Sequence, residues 1–281
     1  MNNTIDKELS EFDFRNSSVE EIEKFFSEKI LGHSRPTINI SPDGLFRARI
    51  ITNTEMKDLT TVKSIWYPDF NEIDTKYHRL NRCSDIGKNF FYSSNYLGAT
   101  IKELNPNNDD LIMIGIFHKK FEDTKIRSQY AGIEALRKNP NRNSELNTYK
   151  YANKTDELIE KFISSKFQER IEKQQEYKYK ASIAFSNILL KNDGIDCIIY
   201  PSVASNLEFE NYGIKAKFVD EHLYCDKVHV YRVIKNSTEF ELVPIRFGKR
   251  VLIDKVTPKN SVIEWEENSD LDRDITIKYC L

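Results

Sequence analysis

No two of the four cysteines, Cys83, Cys197, Cys225 and Cys280, stand as a C-x-x-C pair. Neither a zinc ribbon nor a dithiol redox motif is supported by such spacing, and reduced thiols in a cytoplasmic protein are the expectation. Long apolar runs are missing too. The longest, "LIMIGIF" at 111–117, falls far short of the ~20 residues that a membrane-spanning helix needs. An excess of one charge is absent, since 42 basic and 44 acidic side chains leave a formal charge of −2. Nothing in that balance indicates a nucleic-acid face. The first sixteen residues, "MNNTIDKELSEFDFRN", are polar and acidic and do not suit a signal peptide.

Several site motifs are missing as well. G-x-G-x-x-G and G-x-x-x-x-G-K-[ST] do not occur, so a nucleotide would have to be held without a Rossmann or P-loop cradle. H-E-x-x-H does not occur, and the five histidines are scattered; no metal site is expected. G-x-S-x-G does not occur, and Ser202 follows a proline, which argues against a nucleophile elbow.

What is present is a chain of 281 residues with 39% hydrophobic and 12% aromatic side chains, enough to bury a substantial core. Residues 18–31 carry an S-x-x-E capping box at Ser18 and Glu21. Ile22, Phe25, Phe26 and Ile30 fall on one helical face, and Gly32 is the expected stop. "LFRARIIT" at 45–52 alternates as a half-buried strand does, which puts Arg47 and Arg49 on the same face. A loop is expected over 60–88, a strand over 89–94, a helix over 95–104 with Asn95 as N-cap and Pro106 beyond its end, and a buried strand over 111–117. Between Asn141 and Asp193 there is neither glycine nor proline, and the apolar spacing predicts two helices or one long bent one. A strand at 195–200 follows, closed by Pro201. Past about residue 225, "KVHVYRVI", "EFELVPIRF" and "KRVLIDKV" read as short strands.

Polar residues at strand ends are the candidates for chemistry. Arg47, Arg49 and Arg79 carry the planar fork that suits a phosphate pair. Tyr92 can stack on a heterocycle, and Glu103 can hold ribose hydroxyls and steady a cationic sugar. Together with Asn81 and Ser202 these are parts for breaking an N-glycosidic bond in a dinucleotide. Each also has a purely structural reading: Arg49 as a solvated face residue, Arg47 paired with an acid, Tyr92 in the core, Glu103 on the surface beside Lys102, and Pro201-Ser202 as a turn.

In order along the chain, "LFRARI", W-x-P, "HRLN", "FFYSSNYLGATIKE", "GIDCIIYPSV" and "NYGIKAKFVDEHL" resemble the RES-domain family, over roughly residues 44–224. The resemblance implies an α+β fold like that of ADP-ribosyltransferases, with split β-sheets. It divides the chain into an N-terminal helical extension (1–43), the RES domain (44–224) and a C-terminal β-rich extension (225–281). It also implies a cytoplasmic, toxin-type enzyme of a toxin–antitoxin system that degrades NAD⁺. Phosphate or water would accept the sugar, no metal would be needed, and a small protein antitoxin would be a partner. The alternatives are a protein ADP-ribosyltransferase and a non-catalytic NAD-binding module. On the family's pattern Arg47, Glu103, Tyr92 and Ser202 are catalytic. Arg47, Arg79, Asn81, Tyr92 and Asn211 bind the dinucleotide, and Ser182 is a rival for the serine. The chain departs from the pattern at His78, where the family often has glycine.

Overall fold

The computed structural model describes residues 2–29, 35–72, 74–75, 79–139, 145–236, 239–266 and 277–280. Gly32 and His78 lie outside them. In chain order the helices are α1 (Asn2–Glu11), α2 (Val19–Lys29), α3 (Asn53–Asp58), α4 (Leu97–Leu104), α5 (Ile133–Leu136), α6 (Glu145–Thr148), α7 (Lys154–Gln168), α8 (Tyr179–Leu190) and α9 (Ala216–His222). The strands are β1 (Thr37–Ile40), β2 (Leu45–Ile51), β3 (Phe90–Ser94), β4 (Leu111–Lys119), β5 (Ile126–Tyr130), β6 (Cys197–Pro201), β7 (Glu210–Lys215), β8 (Leu223–Lys235), β9 (Glu239–Leu252), β10 (Val262–Trp265) and β11 (Ile277–Cys280). The class is mixed α+β. No described helix is long and apolar enough to cross a membrane.

Two compact units divide the chain, and each draws on three separate segments. The first holds residues 1–40, 68–90 and 126–215, and the second holds 41–67, 91–125 and 216–281. Residues 225–281 supply strands to the sheet of the second unit.

In the first unit the strand order is β1-β5-β6-β7. The β5–β6 pair is parallel and the other two are antiparallel. All five residues of β6 are buried, as expected of a strand covered on both faces. The capping box of α2 is formed: the Ser18 hydroxyl accepts the Glu21 N–H (3.2 Å), and the Glu21 carboxylate accepts the Ser18 N–H (2.7 Å). Val19, Ile22 and Phe26 make the buried face of α2, and the Phe26 ring meets Phe185 of α8 edge-on at 6.3 Å. The glycine-free stretch before residue 193 is two main helices, α7 and α8, joined by a 3-10 turn over Lys173–Lys178. Arg82 ends α7 by donating to the carbonyls of Lys166 (3.1 Å) and Glu169 (3.0 Å), which satisfies acceptors that a helix end leaves open.

In the second unit the order is β3-β2-β4-β8-β9-β10, with β11 also on β9. Described pairings of β2, β4, β8 and β9 are antiparallel. Helix α3 falls where no helix is expected from the sequence, and Thr52 and Glu55 form a full capping box at its start. Helix α4 begins at Leu97 after Tyr96, not after Asn95, and no side chain caps it. Its end is set by Asn105, left-handed at φ 45°, whose N–H reaches back to the carbonyls of Ile101 and Lys102. Ile101 packs with Ile112, Ile114, Tyr231, Val233, Phe240 and Leu242, and Phe46, Ala48, Leu97 and Leu104 border that core. So α4 covers the Phe46/Ala48 face of β2, and the alternation of a strand turns Arg47 and Arg49 to the opposite face.

Candidate functional site

The Arg47 side chain lies against the turn over Val62–Ile65 that follows α3. Gly115 is its register partner on β4. A Cβ there would stand 2.9 Å from both Ile65 Cγ1 and Phe117 Cε2, so glycine lets the turn settle onto β4 beside the arginine. Carbonyls of that turn then point at the guanidinium. Arg47 donates Nε–H to the carbonyls of Ile65 (3.0 Å) and Trp66 (3.3 Å), and Nη1–H to the carbonyl of Tyr92 (3.0 Å). Its guanidinium carbon sits 5.4 Å from the centre of the Phe91 ring. Arg49 is occupied differently, donating to the Ser64 carbonyl (3.1 Å) and pairing with Glu55.

Among the described residues no carboxylate pairs with Arg47, and its Nη2 has no hydrogen-bond partner. Burial lowers its pKa to about 10, and the like charge of Arg49 adds to the effect, while Tyr92 opposes it. A desolvated cation oriented by three carbonyls and lacking a counter-ion is a seat for an anion.

Tyr92 is brought to Arg47 through its carbonyl. Glu103 is exposed, one residue from the end of α4, on the helix that covers the other face of β2. Strand alternation turns Arg47 to one face of β2, and α4, which carries Glu103, packs on the other.

The remaining expected residues belong to the first unit. Arg79 is exposed, with Nε 3.9 Å from a Glu176 carboxylate oxygen. Asn81 closes a tight turn with Ser84 through paired backbone bonds (3.1 and 3.4 Å). Asn211 is buried on β7 opposite Tyr200. Pro201 is the last residue of β6, and Ser202 after it is 0% exposed. The Ser202 N–H donates to Phe209 O (2.9 Å) and its carbonyl accepts the Leu207 N–H (2.9 Å). A closed loop therefore packs this serine inward. The Ser182 hydroxyl donates to the Tyr179 carbonyl of its own helix (3.0 Å) and is buried.

Sequence reasoning passes over Asp220. Its Oδ1 accepts the Trp66 indole N–H (2.9 Å), its Oδ2 accepts the Tyr67 hydroxyl, and its carbonyl accepts from Lys120 Nζ (2.6 Å). The W-x-P and "VDEHL" segments that carry Trp66 and Asp220 are both legible, but a contact across 154 positions leaves no local signature. Among the described residues no three His, Cys, Asp or Glu side chains are grouped as metal ligands would be.

No family model matches the chain, and no curated relative does.

Proposed function

We propose that the protein cleaves the nicotinamide N-glycosidic bond of NAD⁺, as a RES-like enzyme with an ADP-ribosyltransferase-like arrangement of its core. The observation that carries the reading is Arg47: a guanidinium fixed by three carbonyls and paired with no carboxylate among the described residues, with Nη2 as the edge for a ligand. It is assigned to the pyrophosphate. Tyr92 is assigned to the nicotinamide end and Glu103 to the ribose hydroxyls. The ribose and the pyrophosphate are separate groups, so Arg47 and Glu103 act on different parts of the substrate. As the C1′–N bond breaks, nicotinamide leaves with the electron pair and C1′ gains positive charge, which a carboxylate steadies. Phosphate or water then adds at C1′ and gives its proton to solvent. A cytoplasmic site of action and a small protein antitoxin belong to the same proposal.

Purified protein given NAD⁺ is expected to release nicotinamide, and Glu103→Ala is expected to lose ~10²–10³ of that rate with its circular dichroism unchanged. Full activity in a folded Glu103→Ala protein removes the carboxylate from the mechanism. Binding of NAD⁺ with no nicotinamide release would make the protein a binding module. Mass of the sugar product, with and without phosphate, separates phosphorolysis from hydrolysis.

A further inference from the structure

The geometry points to Asp220 as a positioning residue for Arg47, an inference that rests on the reading of Arg47 as the pyrophosphate-binding cation. Arg47 Nε–H is shared between two successive carbonyls, those of Ile65 and Trp66. The Ile65 carbonyl shares a peptide plane with the Trp66 N–H, which is bonded to the carbonyls of Val62 and Lys63, whereas the Trp66 carbonyl lies in the peptide between the Trp66 and Tyr67 side chains. Asp220 holds both, one carboxylate oxygen on the indole N–H and the other on the phenol. Two acceptors on one rigid carboxylate fix two consecutive side chains at once, which a single hydrogen bond could not do. The Trp66 ring is also packed 5.3 Å from Phe117. Trp66 and Tyr67 are 3% and 7% exposed, so the carboxylate sets the orientation of a buried segment.

Asp220 is itself held at its main chain by Lys120 Nζ. Burial lowers the Lys120 pKa, with Asp220 and Glu221 opposing the shift. The line of contact from Lys120 through Asp220, Trp66 and Arg47 ends at Nη2, the edge assigned to the anion. Asp220 does not touch that edge and acts through the indole.

Two measurements on Asp220→Ala and Trp66→Phe test this. In the first, both variants are expected to raise KM for NAD⁺ about tenfold, the weight of one charge-assisted hydrogen bond, with kcat within about threefold of wild type. Asp220→Asn keeps an acceptor for the indole and is expected to stay within about threefold of wild type in both constants. In the second, the Arg47 Nε–H resonance is followed by NMR, assigned by its loss in Arg47→Lys. It is expected to move and to exchange with water about tenfold faster in Asp220→Ala and Trp66→Phe. A wild-type resonance and an unchanged KM in folded variants would overturn the inference, as would a loss confined to kcat. If Asp220→Ala does not fold, Trp66→Phe and Asp220→Asn decide. If the wild-type protein releases no nicotinamide, the cleavage reading falls, and the Nε–H resonance alone decides whether Asp220 positions Arg47.

Discussion

His229 on β8 shows how one buried titratable side chain ties stability to pH. Its ring centre lies 4.6 Å from that of Phe247, and Nδ1 is buried without a partner among the described residues. Burial lowers its pKa from 6.5 to about 4, and Lys227 adds to the shift. The unfolded chain therefore takes up a proton between pH 6.5 and about 4 that the folded protein refuses. Stability is full above 6.5 and falls as the pH drops toward 4, by roughly 2–3 kcal/mol at this site. Urea unfolding of wild type and His229→Phe at pH 7 and pH 4.5 is the check. The gap between the two proteins should move toward the variant in acid. A gap that does not change with pH would mean that the folded protein protonates this ring freely. The same scale shows why Arg47 is only half legible. Its place on an alternating strand is readable at once, whereas its three carbonyl partners come from residues 18, 19 and 45 positions away. Nothing near Arg47 in the sequence announces that no described carboxylate pairs with it.

Elements whose cause is local are the ones that can be read from the sequence. Ser18 and Glu21 announce α2, and the alternation in "LFRARII" announces β2. The Gly- and Pro-free run announces helices, but not that Arg82, more than eighty residues away, ends the first of them. Short α3 goes unread because six residues give no apolar period to find, although Thr52 and Glu55 cap it in full. Gly115 inside β4 reads only as a weak point of a strand. Its reason is the turn that carries Ile65, laid against it from elsewhere in the second unit. Gly115→Ala is therefore expected to push Ile65 and Phe117, both 0% exposed, and to cost about 1–3 kcal/mol as overpacking does. Because Ile65 O is an acceptor for Arg47, the Arg47 Nε–H resonance should shift with it. Wild-type stability and an unmoved resonance in Gly115→Ala would show that the turn is not seated on this glycine.

At the scale of the whole chain, the strands after residue 225 are legible as strands, but their partner is not. Nine residues of β4, Leu111 to Lys119, are paired with β8 from Arg232 back to Leu223. That match joins segments more than a hundred positions apart, and no spacing rule records it. A protein ended at residue 224 would keep every segment that resembles the RES family and still lose one side of β4. It would also lose Val228, Val230, Val233, Phe240 and Leu242, each 0–2% exposed. Burying side chains of this size is worth about 1.5–3 kcal/mol apiece, so the loss is comparable with the ~5–15 kcal/mol that holds a typical domain together. In residues 1–224 alone, the NMR resonances of 41–67 and 91–125 are therefore expected to collapse to unfolded positions, whatever the first unit does. Well-dispersed resonances from those two segments would show that the second unit closes its core without β8.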